Sequence, residues 1–548
     1  MVIALAKKSQ NSAVMSRAGI GRHDAEEEPR APNTHHPDLQ DFSVLQRPEE
    51  DFHFDEASEP IFFPDLNLDQ IAEAITASKQ DYDLKPFFYV RPATADTICY
   101  RHEVMRDMRG SAAFKAVQQF SEMMGVVREK LARFHKFHYA YQKESWFCDA
   151  VETYCEGVLT LEAKLGHASL KSRGLTRFHR FLRHYVGSDA FTSLYTEAQH
   201  IREGLAGVRY CMELYGSGFT IRKYNKEYDY SKAVLKTFDK FKQGDVKDYR
   251  AKFTTSWEMD HIEAAIIERV ARLFPDVFEA LLRLPQQHSE FLDETIKRFD
   301  REIQFYVAYI DHMERLERHG LRFCFPELVS AHDDIETKEA FDLALAQKLV
   351  SEKKPIIKNS FTLDYPERVF VISGPNQGGK TTFARTFGQL HHLANLGLPV
   401  PGVSAKLLLF DNLYTHFERQ EEMASLRGKL EDELVRVQAI LEEATDRSLI
   451  IMNESFSSTA LRDALFLGRK VLERISSIGA TCIYVTFIDE LSRLNKRTVS
   501  LVSQVKAGHG AQRTFKIVRK RADGLAHAMS IAEKYKLTYL SASKRIKS

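Results

Sequence analysis

The chain has 548 residues, 44% of them hydrophobic and 28% charged, with a formal net charge of +1. That length exceeds what one core can serve and predicts two or three domains of ordinary globular composition. Near-neutrality removes any global charge argument for nucleic acid, no apolar run is long enough to cross a membrane, and six cysteines without CxxC or metal spacing read as reduced core residues of a cytoplasmic protein.

Residues 1–58 read as a disordered tail: Glu26-Glu27-Glu28-Pro29-Arg30-Ala31-Pro32 is polar, proline-bearing and without apolar periodicity. From 59 to 350 the pattern is mainly α-helical. Ile303, Tyr306, Val307, Ile310, Met313 and Leu316 recur at helical spacing and predict one amphipathic helix. Val208–Leu214 and Phe219–Tyr224 alternate around Gly216-Ser217-Gly218, which predicts a β-hairpin. Between Arg222 and Lys252 stand ten basic residues against five acidic ones, with aromatics interleaved. Lys232, Lys236, Lys240 and Lys242 are the candidate phosphate contacts of an insert near 208–285. A solvated helix with core aromatics explains the same letters, and Phe238 and Phe241 at i, i+3 suit that reading.

Residues 351–548 change character. Val369-Phe370-Val371-Ile372 is an apolar β-branched run with the pattern of a buried strand, and residues 381–395 read as a helix. Between them lies Gly374-Pro375-Asn376-Gln377-Gly378-Gly379-Lys380-Thr381, a complete G-x-x-x-x-G-K-S/T loop followed by Thr382. Glycines in that order let backbone amides converge on phosphate oxygens at a helix N-terminus. The chain is thus expected to bind a nucleoside triphosphate, with Lys380 on the β- and γ-phosphates and Thr381 on Mg²⁺. A second buried strand, Leu449-Ile450-Ile451-Met452, ends in Asn453-Glu454. Glu454 is placed to orient or deprotonate the attacking water. Asn453 stands where an aspartate usually holds Mg²⁺, and offers an oxygen without the charge. Thr481–Thr486 reads as a third core strand, with Phe487 just beyond it.

From Gly374 to Leu491 these motifs resemble the ATPase domain of the MutS family of DNA mismatch-repair proteins. The family's G-P-N-x-G-G-K-S/T loop stands as Gly374–Thr381, its L-M-D-E strand as Ile451-Met452-Asn453-Glu454, and its A-T-H-Y segment as Val485-Thr486-Phe487-Ile488. The resemblance implies an α/β P-loop NTPase domain of the ABC type at 351–548, C-terminal to a helical lever and core domain at 59–350. It implies ATP and Mg²⁺ as cofactors, a homodimer through the ATPase domain, and DNA as partner in mismatch repair or recombination. Phe361 lies where the family stacks adenine, with a core phenylalanine as the alternative. The family's S-T-F-M-V-E-M signature, which reaches across a dimer, falls on Gly428–Leu434 and keeps only Glu433. Arg427 and Lys429 beside Gly428 could supply the charge in trans, or simply face solvent. The family's F-x-E mismatch wedge is matched in letters by Phe54-Asp55-Glu56 and Phe120-Ser121-Glu122, both read as bland segments, so the separate mismatch-reading domain is not expected. With the aspartate and histidine replaced by Asn453 and Phe487, slow hydrolysis is expected. The alternative is a nucleotide-binding switch or scaffold with negligible turnover and protein partners.

Overall fold

In the computed structural model, residues 42–47, 54–92, 94–216, 218–226, 228, 233, 236–237, 258–418, 428–505 and 513–522 are described. The chain divides into two compact units.

The first unit takes in Lys115–Ser169 and Phe178–Lys297. Helices Ala140–His167, Asp189–Gly207, His261–Leu273 and Pro275–Gln287 carry it, around a core that includes Phe147, Tyr154 and Phe291. The helix opening at His261 has a full capping box: the Asp260 carboxylate accepts from the Ile262 and Glu263 amides, and Glu263 reaches back to the Asp260 amide. The expected hairpin is present as Tyr210–Tyr215 paired antiparallel with Gly218–Lys223, turning at Gly216 with φ 57°. It leans on the helix beginning at His261, with Arg269 over the Phe219 ring. Of the candidate phosphate contacts, Lys236 is exposed, while Lys232, Lys240 and Lys242 lie outside the described residues.

The second unit takes in Asp41–Phe114, Leu170–Arg177 and Arg298–Ser548. Its centre is a six-stranded sheet of β1 (Val369–Ser373), β2 (Leu413–Phe417), β3 (Leu449–Asn453), β4 (Thr481–Val485), β5 (Thr498–Val505) and β6 (Arg513–Arg519), in the order β2-β3-β4-β1-β5-β6. Every pairing is parallel except β5 with the edge strand β6. Parallel strands need both faces covered. Helices α1 (Lys380–Asn395), α2 (Lys429–Glu443) and α3 (Leu461–Ile478) help supply that cover. Val369 and Val371 join Val437 of α2 and Leu472 and Ile475 of α3 on one side. Phe370, one residue out of phase, meets Phe383 and Phe387 of α1 on the other. A second sheet of four strands, Glu327–Val329, Ser404–Leu408, Ile335–Ala340 and Asn359–Leu363, lies in the same unit.

The boundaries expected at 58/59 and 350/351 are corrected by this division. Residues that were to belong to the lever are built into the unit of the sheet by buried polar contacts. Gln389 of α1 donates to the Leu66 carbonyl at 2.8 Å, His392 bonds the Phe88 carbonyl at 3.0 Å, and Arg101 donates to Leu396 O at 2.8 Å. Part of the expected tail is also core. Phe42, Val44 and Leu45 are fully buried, and the carbonyls of Ser43, Val44 and Leu45 accept from Tyr100, Tyr306 and Arg101 respectively. Three apolar residues within four positions carry too little periodicity to be seen in sequence. The cysteine expectation needs the same kind of correction. None of the six forms a disulfide, but Cys99 is exposed and Cys211 and Cys324 are only half-buried. The helix Glu294–Glu317 buries all six residues of its expected stripe.

Glu302 on that helix gives a pH prediction. Its carboxylate accepts from Ser43 Oγ and the Val44 amide, each at 2.8 Å. Burial pushes its pKa up from 4.5 to about 7, against those bonds and the charges of Arg298 and Arg101. An acid whose folded pKa is raised costs stability when it ionises. Stability should therefore fall as pH rises from 4.5 through about 7 and level off above that. Glu302→Gln, neutral and still able to accept, should lose this slope in melting curves taken across that range. An unchanged slope would assign it to another group.

Candidate functional site

The site forms where β1 and β3 run out toward the N-terminus of α1. Gly374 at φ 121° turns the chain out of β1, and Gly379 at φ 91° caps α1. At Gly378 no side chain fits: a Cβ there would stand 2.3 Å from Ser503 Oγ and 2.9 Å from Pro375 O. Ser503 on β5 fixes this point by donating to the Gly378 carbonyl at 2.7 Å. Gln377, left-handed at φ 57°, accepts from Arg513 at 2.6 Å. Helix geometry leaves the amides of Lys380, Thr381 and Thr382 without an i−4 carbonyl, so three donors and the positive end of α1 face one small space.

That space is a cleft of about 220 Å³ lined by Leu345, Gln377, Gly379, Lys380, Thr381, Thr382, Glu454 and Phe515. Lys380 Nζ donates to Gly374 O at 2.9 Å and Pro375 O at 3.3 Å, with Asn376 Oδ1 at 3.4 Å. Burial pulls its pKa down while the Glu454 charge pulls it up. The Phe487 ring, half exposed, lies 5.3 Å from the ammonium. Thr381 Oγ1 donates to Asn453 Oδ1 at 2.9 Å. Residues 72 positions apart are thus joined, because β3 and β1 flank β4 in the sheet. A hydroxyl and an amide oxygen side by side suit a hard cation such as Mg²⁺, which keeps most of its water.

The glycine-rich loop and the Asn453-Glu454 pair therefore come together at one cleft. Phe361 does not join them. Its ring is core, 6% exposed and packed against Phe370, Phe383 and Phe387, so the adenine-stacking expectation is corrected. Phe361 sits on an inward position of its strand, where alternation sends the side chain into the core. The apolar surfaces that do line the cleft are Leu345, 39% exposed, and Phe515, 47% exposed. Neither carries a sequence signal, since one comes from a helix well before the loop and the other from the edge strand well after it.

Gly428 is exposed and caps α2; Arg427 and the Lys429 side chain lie outside the described residues. Neither F-x-E match offers a free ring. Phe54 packs edge-on against Phe87 at 4.9 Å in a short 3₁₀ turn, and Phe120 is buried in the helix Ala112–Lys136. Among the described residues no group of three or more His, Cys, Asp or Glu is placed to hold a metal, and no helix is long and apolar enough to cross a membrane.

Comparison with known proteins bears on the same segment. Residues 370–537 match the model of MutS domain V. The DNA mismatch repair protein MutS of Thermotoga maritima is 26% identical over 244 residues, 44% of this chain and 29% of that protein. Its namesakes from Zymomonas mobilis and Orientia tsutsugamushi are each 29% identical, over 37% and 38% of this chain and 22% and 24% of their own lengths. The chain thus spans under a third of the length of each of these relatives. Residues 370–537, which carry the phosphate loop and the acidic strand end, are thus similar to domain V of MutS.

Proposed function

We propose that the chain binds and hydrolyses ATP and couples its nucleotide state, through dimer closure, to DNA in mismatch repair or recombination. One observation carries the catalytic part. Lys380, Thr381 and Glu454 line one cleft, and Thr381 is bonded to Asn453 beside it, at the carboxyl ends of parallel strands. The amides at the start of α1 and the Lys380 ammonium bind the phosphates. Leu345 and Phe515 flank the base. Thr381 and Asn453 would hold Mg²⁺, which neutralises phosphate charge when bound. Glu454 orients the attacking water and accepts its proton. Arg427 and Lys429 are proposed to reach the partner's site in a homodimer, and Lys232, Lys236, Lys240 and Lys242 to contact DNA phosphates.

Steady-state ATP hydrolysis by the full chain tests this, with Glu454→Ala as control. Each protein is assayed alone and with duplex, mismatched, branched and single-stranded DNA. Hydrolysis that needs Glu454 and changes with one DNA form is the expected result. Losing Glu454 should lower kcat by roughly 10²–10⁴-fold while ATP binding persists. Tight ATP binding without turnover, restored by Asn453→Asp, would replace the enzyme with a nucleotide switch.

A further inference from the structure

Between Asn453 and the start of α3 the chain makes an unusual turn. Glu454 has φ 55° and Phe456 φ 62°, both left-handed, and neither is glycine. Non-glycine residues are strained in this region, so the surroundings must impose the conformation. The anchors are visible on both sides. The Glu454 amide donates to Val485 O of β4 at 2.9 Å. The Phe456 amide donates to Glu433 Oε2 of α2 at 2.9 Å, and Ser455 Oγ bonds His416 Nδ1 of β2 at 2.8 Å. The Phe456 ring is buried in the core under α2 and α3.

Glu433 is the informative member. It is 2% exposed, on the face of α2 that also presents Leu430, Leu434 and Val437 to the core. A carboxylate there is costly against any apolar residue unless its bonds are needed. Its bond holds a backbone amide two residues beyond Glu454, inside the strained turn. A left-handed φ at Glu454 sets the direction of its Cα–Cβ bond and delivers the carboxylate to the cleft wall. If the turn relaxed to the ordinary right-handed region, that bond would swing away from Thr381 and Lys380.

We infer that Glu433 is a positioning residue for Glu454: through the Phe456 amide it holds the left-handed turn that aims the Glu454 carboxylate into the nucleotide cleft. The inference rests on hydrolysis at Glu454 as proposed above. Because Glu433 lies in the second turn of α2, a displacement of that helix would reach the water-orienting group directly, with no contact to nucleotide.

The test compares Glu433→Gln, Glu433→Met and Glu433→Asp in the full chain. Gln keeps an acceptor oxygen at the same reach and should stay within about threefold of wild-type kcat, since a neutral acceptor loses little of the bond. Met keeps the length without a strong acceptor and should lower kcat roughly 10- to 100-fold, the scale of a misplaced catalytic group. Asp withdraws the carboxylate by one methylene and should fall between them, so it decides the matter if the Met variant does not fold. KM and the affinity for a fluorescent ATP analogue should stay within about twofold in all three, because the phosphate loop is untouched. Hydrogen exchange should show the Phe456 amide protected in wild type and Gln and faster in Met. Wild-type kcat in both Met and Asp overturns the inference, as does nucleotide affinity falling in step with kcat, or Gln failing as badly as Met. If wild type and Glu454→Ala hydrolyse ATP equally, the hydrolysis reading fails and takes the inference with it.

Discussion

Lys380→Met is expected to remove most ATP affinity and essentially all hydrolysis. The lysine is 3% exposed, and its ammonium is held by the carbonyls of Gly374 and Pro375 inside the loop proposed to wrap the phosphates. Those two weak acceptors are what a phosphate would displace, so the charge is already desolvated and aimed before the ligand arrives. A charge-assisted bond of this kind contributes about 1.5–3 kcal/mol, roughly 10- to 100-fold in affinity. Charge growing on the γ-phosphate in the transition state adds a further loss in rate, of about 10²–10³-fold. Methionine matches the stem in length and apolar character, so the fold should survive. Arginine is no rescue here: its planar fork cannot take the place of a point charge between two carbonyls. Calorimetric titration with ATP, alongside kcat/KM, reads both terms. Unchanged affinity in Lys380→Met would remove the phosphate loop as the binding element, whatever its letters.

That loop was legible because its chemistry is local. Gly374, Gly378 and Gly379 are required by backbone angles and close approach within a few residues, and the strand and helix around it have unbroken patterns. The pairing of Thr381 with Asn453 was legible too, since parallel strands bring their carboxyl ends to one edge. What could not be read is what three-dimensional neighbours decide. Phe361 and Phe515 are the same letter, yet one is core and the other lines the cleft, which depends on which way each strand faces. Glu433 survived in a signature otherwise lost, but only the structure shows its partner to be a backbone amide rather than a ligand. Residues 42–47 looked like tail because their burial depends on side chains more than 50 positions away. His391 and His392, adjacent on α1, are both buried and bonded to carbonyls, with burial pushing each pKa down to about 4. They are neutral packing residues.

Arg101→Leu is expected to cost about 3–5 kcal/mol, the scale for breaking a buried polar network around a charge. Arg101 is 1% exposed and joins three segments far apart in sequence. Nε donates to Leu45 O and Nη1 to Leu396 O, both at 2.8 Å, while its stem packs where a Cβ on Gly397 would stand 2.7 Å away. Leucine removes both donors and leaves two buried carbonyls to be satisfied elsewhere, each worth about 1–3 kcal/mol. In a unit of this size the melting temperature should drop by roughly 2–4 °C per kcal/mol, so by about 10 °C. Arg101→Lys, which keeps the charge but not the fork, should fall between wild type and leucine. The loss has a functional direction. Leu396 closes the same helix whose first turn carries Lys380 and Thr381, so Arg101 anchors the far end of α1 to the segment at 42–47. ATP affinity measured well below the melting point should therefore weaken less than stability does, because the phosphate contacts lie four turns away. A melting temperature unchanged in Arg101→Leu would mean that segment 42–47 contributes nothing to holding α1, and that the buried bonds around it are replaceable by water.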